Sequence, residues 1–389
     1  MLPQEEMLEI GRIKKKLTIG IPREIDKYEN RIILTPKAVA ELVYAGHRIL
    51  MEANAGERSN WSDEEYKISG ASISSKQEVY KSEIILKVSP FLQEEIKLLS
   101  GGQIIVSALH SNIQSIETIV SLMRKKITAV GLELIKDEND FFPFLHSMSE
   151  IAGIIAVTTA GEYLSNSNNG KGVLLGGITG ITPTEIMIIG AGTAGEYAAR
   201  AALGLGASVK VFDSSIIKLR KLQTSLGHQI FTSVLQQDVL IENIIKADAV
   251  IGALEYTGGR VPFLICEEII SRMKKGSVII DLNTDNESCF ATSRVTNFGN
   301  PTFKKFGIVH YCVPNIASKA SRTASISLSN AFLPILHKMS QISEIQFIIK
   351  EDKGIRNGTY IFNGILTNEH LGKKFGIDFK DLNLLTSVL

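Results

Sequence analysis

Cysteine is scarce in this chain of 389 residues: there are three, Cys266, Cys289 and Cys312. An odd number of widely spaced thiols builds neither a disulfide framework nor a cysteine-based metal centre, and no metal is expected. It fits the reduced, mostly buried thiols of a cytoplasmic protein. Charge of one sign is not in surplus either. The formal net charge of +1 gives no pointer to nucleic acid or to a membrane surface, both of which favour a basic excess. The opening MLPQEEMLEIGRIKKK has no apolar centre, so it reads as neither a signal peptide nor a membrane span. Residues 1–16 are instead expected to form a short helical extension docked on a neighbouring surface. What remains is an ordinary globular composition, 44% hydrophobic and 21% charged, in a chain long enough for two domains.

One stretch is far more specific than composition. In 186-IMIIGAGTAGEYAARAALGLGASVKVFD-213 an apolar strand runs into Gly190, Gly192 and Gly195, and a helix-period segment follows. Gly190 permits a sharp turn, Gly192 removes the side chain where a pyrophosphate must approach the backbone, and Gly195 allows helix and strand to pack closely. The helix N-terminus offers N–H groups and a positive dipole end to phosphates. A second strand then ends at Asp213, roughly 20 residues on, where a carboxylate meets the adenosine ribose. That acid would repel a 2′-phosphate, so the cofactor read here is NAD.

Around this stretch β-rich runs alternate with helical segments. Before it come LTIGIP, RILME, EIILKV, QIIVSAL and TAVGLE, and after it DAVIGAL, SVIIDL and GIVHYCV. Such alternation implies parallel sheets. SMSEIAGIIAVTTAGEYL reads as a helix bridging two domains, and residues 323–342 as another long helix returning to the first. The last fifty residues show Gly and Asn turns and one helix near residues 368–375, with no identifiable chemistry. The fold class is α/β: two Rossmann-like doubly wound domains, the nucleotide domain (149–315) inserted into a catalytic domain (1–148 and 316–389).

Hydride transfer needs an anion clamp and a proton carrier. Arg31, in the polar loop after the first strand, has a guanidinium fork suited to a carboxylate; the competing reading is a surface arginine paired with Glu24 or Glu29. His110 follows directly on an apolar strand and is the best-placed acid/base of the histidines, with His146 second. Asp281 and Asp285 lie at and beyond the end of SVIIDL, where a carboxylate could orient ammonia or water, or simply cap a turn.

Taken together, PREIDKYENRIILTP, ILKV, GQIIVSALH, SMSEIAG, GKGVLLGGITGI, IGAGTAGEYAARAALGLGA, DLNTDNESCFATSR and HYCVPNIAS resemble the successive blocks of the alanine dehydrogenase family, which includes the NAD-binding subunit of proton-pumping transhydrogenase. The resemblance runs over residues 17–336. It implies that Arg31 binds the substrate carboxylate, that His110 is the acid/base and that Asp285 helps activate ammonia. Ser149 and Asn315 would lie near the nicotinamide and its ribose, and Asp213 at the adenosine ribose. The implied reaction is reversible oxidative deamination of L-alanine to pyruvate and ammonia with NAD, through an imine that water attacks while His110 shuttles protons. A homo-oligomer, a hexamer in the family, is implied as well.

The sequence departs from the family in two places. Where the family strand reads KVKEP and its second lysine contacts the substrate carbonyl, 87-KVSPF-91 has Ser89, a neutral hydroxyl in place of an ammonium. Lys87, two residues back, either reaches forward or is a fixed scaffold lysine. After Asp285, Asn286, Glu287 and Ser288 replace the family's QGG, removing two glycines. The alternatives are a dehydrogenase of the same fold for another amino or 2-oxo acid, an NAD(H)-binding subunit passing hydride to a partner, or a nucleotide-binding protein without turnover.

Overall fold

The structure, a computed structural model, describes residues 16–110, 114–254, 265–284, 288–340 and 345–387. The expected N-terminal extension and Asp285 fall outside these residues. In chain order the strands are β1 (Thr18–Ile21), β2 (Arg48–Glu52), β3 (Ser72–Ser74), β4 (Ile84–Leu86), β5 (Ile104–Ser107), β6 (Thr128–Gly131), β7 (Glu185–Ile189), β8 (Ser208–Phe212), β9 (Phe231–Ser233), β10 (Ala249–Gly252), β11 (Val278–Asp281), β12 (Thr302–Lys305), β13 (Ile308–Tyr311), β14 (Thr359–Phe362) and β15 (Ile365–Leu366).

They form two sheets, ordered β15-β14-β6-β5-β4-β1-β2-β3 and β12-β13-β11-β10-β7-β8-β9. Without the antiparallel strands β15, β14 and β12, each sheet is parallel and, counted along its own stretch of chain, has the doubly wound order 3-2-1-4-5-6. The chain divides into two compact units, residues 1–145 with 325–389, and residues 146–324. The helices Pro143–Leu164 and Ser321–Ser340 carry the chain across the two boundaries.

The central strands β4, β5, β10 and β11 are buried along their whole length, as apolar runs covered on both faces should be. Alternation sorts the side chains of β7. Ile186 and Ile188 join Ala198, Ala199 and Ala202 of the helix Thr193–Gly204 on one face, whereas Met187 and Ile189 join Leu240 and Ile244 on the other. In the first unit, Thr35 caps the helix Pro36–Tyr44 by accepting from the Ala38 N–H, with Pro36 at the first helical position.

The C-terminal segment differs from its sequence reading. Residues 359–366 form a hairpin on β6, with Asn363 and Gly364 both at positive φ in the turn. The run TYIFNGIL carried the signal, an Asn-Gly between two short apolar stretches. β3, β9 and β12 read SIS, FTS and TFKK, so unlike the equally short β4 (IIL) they carry no apolar run to mark them in the sequence.

Candidate active site

In the first unit the chain order reverses between β1 and β4, and ligands of open α/β sheets bind beyond the carboxyl ends of strands at such a point. The loop after β1 carries Arg31. Its Nε donates to Glu29 Oε1 at 2.8 Å and its Nη2 to Glu29 Oε2 at 2.7 Å, and the Arg31 backbone N–H also donates to Oε1 at 2.9 Å. Both side chains are buried, so the Arg31–Glu29 pair exists but is not a surface pair. A fork held along one edge is fixed in direction before any substrate arrives.

Glu24, from the same loop, does not pair with Arg31. It accepts from the N–H of Val88 at 2.6 Å and of Ser89 at 3.4 Å through Oε1, while Oε2 lies 3.5 Å from the Lys87 ammonium. Lys87 also donates to Glu95 at 2.5 Å, and the Tyr80 hydroxyl donates to the same Glu95 oxygen. The Lys87 side chain is 1% exposed. Burial works against its charge, but Glu24 and Glu95 outweigh that and raise its pKa. Burial raises Glu24 too, against the pull of Lys87. Lys87 is thus held between two buried carboxylates, which makes it a scaffold group in this geometry. Ser89, half-buried, has its backbone rather than its hydroxyl fixed by Glu24.

His110 lies beyond β5. The β4–β5 pairing continues past the strands through the Ala108 N–H to Val88 C=O bond, 3.1 Å, so His110 and Ser89 end neighbouring segments. The His110 backbone is left-handed, φ +45°, and its side chain is exposed. Such a conformation costs a non-glycine residue about 1–2 kcal/mol. Glu133, just after β6, accepts from the N–H groups of both Leu109 (2.9 and 3.0 Å) and His110 (2.8 Å). Hydrogen bonds to a charged acceptor are worth about 1.5–3 kcal/mol each, enough to offset that cost.

In the second unit Gly190 has φ +117°, and a Cβ there would lie 2.2 Å from the Ala253 carbonyl oxygen. A Cβ on Gly195 would lie 1.9 Å from the Gly190 carbonyl oxygen, so neither position admits a side chain. Gly192 caps the helix Thr193–Gly204. Asp213, at the end of β8 and buried, accepts from the N–H of Ala191 and of Ser215, each at 2.7 Å, and ties the glycine turn to the second strand. His146 Nδ1 lies 2.7 Å from Thr193 Oγ1, beside the same turn. Ser149 is half-buried on the helix Pro143–Leu164, and Asn315 is exposed with φ +57° at the start of the short helix Ile316–Ala320.

Asp281 is buried at the end of β11, where Oδ1 accepts from the Asn283 N–H at 3.0 Å. Burial, and then Asp281, raises both Cys289 and Cys312, the latter to about 11, so both thiols stay protonated and unreactive. The sequence did not single out Glu95 or Glu133, and it treated Glu24 and Glu29 as alternatives for one surface pair. Glu29 is the partner, as one of those readings had it, whereas the roles of Glu24, Glu95 and Glu133 depend on which segments lie side by side, which no local spacing encodes.

Comparison with known proteins agrees with the two-unit α/β fold. Residues 20–152 match the family described as alanine dehydrogenase/PNT, N-terminal domain, and residues 156–369 match its C-terminal domain. The alanine dehydrogenase of Methanococcus maripaludis is 35% identical over 366 residues, 93% of this chain and 98% of its own length. That of Mycolicibacterium smegmatis is 35% identical over 367 residues, 94% and 98%. A solved L-alanine dehydrogenase structure superposes with a TM-score of 0.87 at 32% identity, over 92% of this chain and 99% of that one. Both halves match in one unbroken order, and the chain belongs to the alanine dehydrogenase/PNT family.

Proposed function

We propose that this protein is an NAD-dependent amino-acid dehydrogenase that converts L-alanine, water and NAD⁺ to pyruvate, ammonium, NADH and a proton, reversibly. The observation that carries the proposal is the row of strand ends in the first unit. There an anion-binding fork, Arg31, is fixed by Glu29 at the chain reversal, and an exposed histidine, His110, is fixed two strands away. The full-length similarity to alanine dehydrogenases supports the choice of substrate.

The second unit fits a dinucleotide. The turn at Gly190 and Gly195 leaves no room for a Cβ, and it opens onto the N-terminus of a 12-residue helix. Gly190, Gly192 and Gly195 would hold the pyrophosphate, Asp213 the adenosine ribose, and Ser149 and Asn315 the nicotinamide side. Bound nicotinamide supplies the hydride acceptor or donor. Arg31 binds the substrate carboxylate and sets its orientation, and His110 moves the proton to and from the reacting oxygen. Asp285 takes part in activating ammonia, as the family resemblance implies. We assign the protein to the cytoplasm, as a homo-oligomer with the hexamer of the family.

A second reading is the same chemistry on another amino or 2-oxo acid. It is favoured by Ser89, which offers no ammonium to the substrate carbonyl, and by Lys87, whose ammonium is committed to Glu24 and Glu95. The test is NADH oxidation by the purified protein with pyruvate, with and without ammonium, followed by a panel of 2-oxo acids. Ammonium-dependent turnover on pyruvate at a rate above the rest of the panel supports the alanine reaction. Preference for a different acid moves the assignment to the second reading, and tight NADH binding without turnover on any acid removes both.

A further inference from the structure

The Glu133 carboxylate spans two consecutive backbone N–H groups, those of Leu109 and His110, at the point where the chain turns left-handed. Glu133 itself is half-buried just beyond the neighbouring strand β6, in the middle of the short helix Leu132–Leu134. Two further contacts fix the same segment. Gln114 Nε2 donates to the Leu109 carbonyl at 2.6 Å, and a Cβ on Gly131 would lie 3.2 Å from the Leu109 Cβ, so the ends of β5 and β6 are in close contact. The charge of Glu133 also reaches the buried Tyr360 on β14, whose hydroxyl is raised first by burial and then by this carboxylate.

A histidine on an exposed loop samples many directions, whereas a proton carrier must stay within hydrogen-bond reach of one atom. We propose that Glu133 is a positioning residue for His110: by accepting from the Leu109 and His110 N–H groups it holds the left-handed turn that aims the imidazole, without itself touching substrate. This deepens the proposed dehydrogenase reading and rests on it for the role of His110. A filler carboxylate that merely satisfied two amides would be needed for stability and not for the rate.

The experiment compares the full-length protein with Glu133→Ala, Glu133→Gln, His110→Ala and the double variant Glu133→Ala/His110→Ala. Its first arm is hydrogen–deuterium exchange of the peptide covering residues 104–114, which needs no turnover; exchange in Glu133→Ala should rise roughly tenfold or more. Its second arm is steady-state reduction of the oxo acid with ammonium. There kcat should fall roughly 10- to 100-fold in Glu133→Ala while KM and NADH affinity stay within about threefold. Adding Glu133→Ala to His110→Ala should cost nothing further. Glu133→Gln keeps one acceptor oxygen, should fall between, and serves if the alanine variant does not fold. Unchanged exchange, an unchanged kcat, or a loss repeated in full on top of His110→Ala would overturn the assignment. If the wild-type protein turns over no oxo acid, the dehydrogenase reading fails on its own, while the exchange arm still decides whether Glu133 holds the turn.

Discussion

The two sheets share one strand order and differ in what stands at the point where that order reverses. In the second unit the turn after β7 is short and glycine-rich, and nothing but backbone fits there: Gly190 against Ala253, Gly195 against Gly190. In the first unit the corresponding segment is the long loop of residues 22–35, which carries Glu24, Glu29 and Arg31 into a buried set of charges. One reversal is built by removing side chains so that a ligand can approach the main chain. The other is built by burying side chains that pair with one another and fix the strand ends around them. The same fold therefore specifies two different sites through the composition of one loop in each.

This contrast can be broken experimentally, and the largest effect should come from the charged reversal. Lys87→Met leaves Glu24 and Glu95 buried without their cation and should destabilise the protein by about 3–5 kcal/mol in urea denaturation, while NADH affinity is unchanged. Loss of NADH binding in that variant would mean that the two reversals are not separate in function. The glycine reversal should respond with a smaller loss of stability and a complete loss of the cofactor. Gly195→Ala should cost about 1–3 kcal/mol, because the new methyl group meets the Gly190 carbonyl oxygen, and it should abolish NADH binding measured by fluorescence titration. Retained binding would detach the glycine turn from the dinucleotide.

The smallest effect concerns pH. The second unit buries a neutral histidine: His310, on β13, lies 2.7 Å from Thr292 Oγ1 through Nε2, has Nδ1 3.2 Å from the Ile308 carbonyl, and stacks on Phe303. Burial, helped by the charges of Lys305 and Arg294 and opposed by the hydrogen bond to the Ile308 carbonyl, pushes its pKa down to about 4. The unfolded chain protonates at the ordinary histidine value of about 6.5, so it binds the proton first as pH falls. Stability should therefore be fully present above about pH 6.5 and decline from there towards pH 4. His310→Gln should flatten that part of the stability curve relative to wild type, and parallel curves would remove His310 as the cause.

Much of the fold was legible because its signals are local. Apolar runs at regular spacing reported the parallel strands, and Gly190, Gly192 and Gly195 after a strand reported the turn into a helix. His110 could be named because it closely follows a strand that the sequence shows, and Arg31 because it lies in the polar loop after another. Glu29 could be named as a partner of Arg31, two residues away, but Glu133 and Glu24 could not be given their roles, since each holds a group on another segment. Lys87 illustrates the limit: the sequence puts it two residues from Ser89, but only packing shows that its ammonium turns towards Glu95. The hairpin of β14 and β15 stands outside the strand–helix alternation that marks the parallel strands, and only the turn Asn363-Gly364 points to it.

That hairpin has a consequence for how the protein is made. The sheet of the first unit begins with Thr18 and reaches β6 by Gly131, yet the strand that hydrogen-bonds to β6, Thr359–Phe362, comes only after the whole of residues 146–324. On the ribosome, residues 146–324 emerge as one contiguous unit and can complete their sheet while β6 still presents an open edge. The edge closes only after residues 359–362 have also been translated, so the strand beside Glu133 waits longest to be covered, and until then it is exposed to unwanted strand pairing.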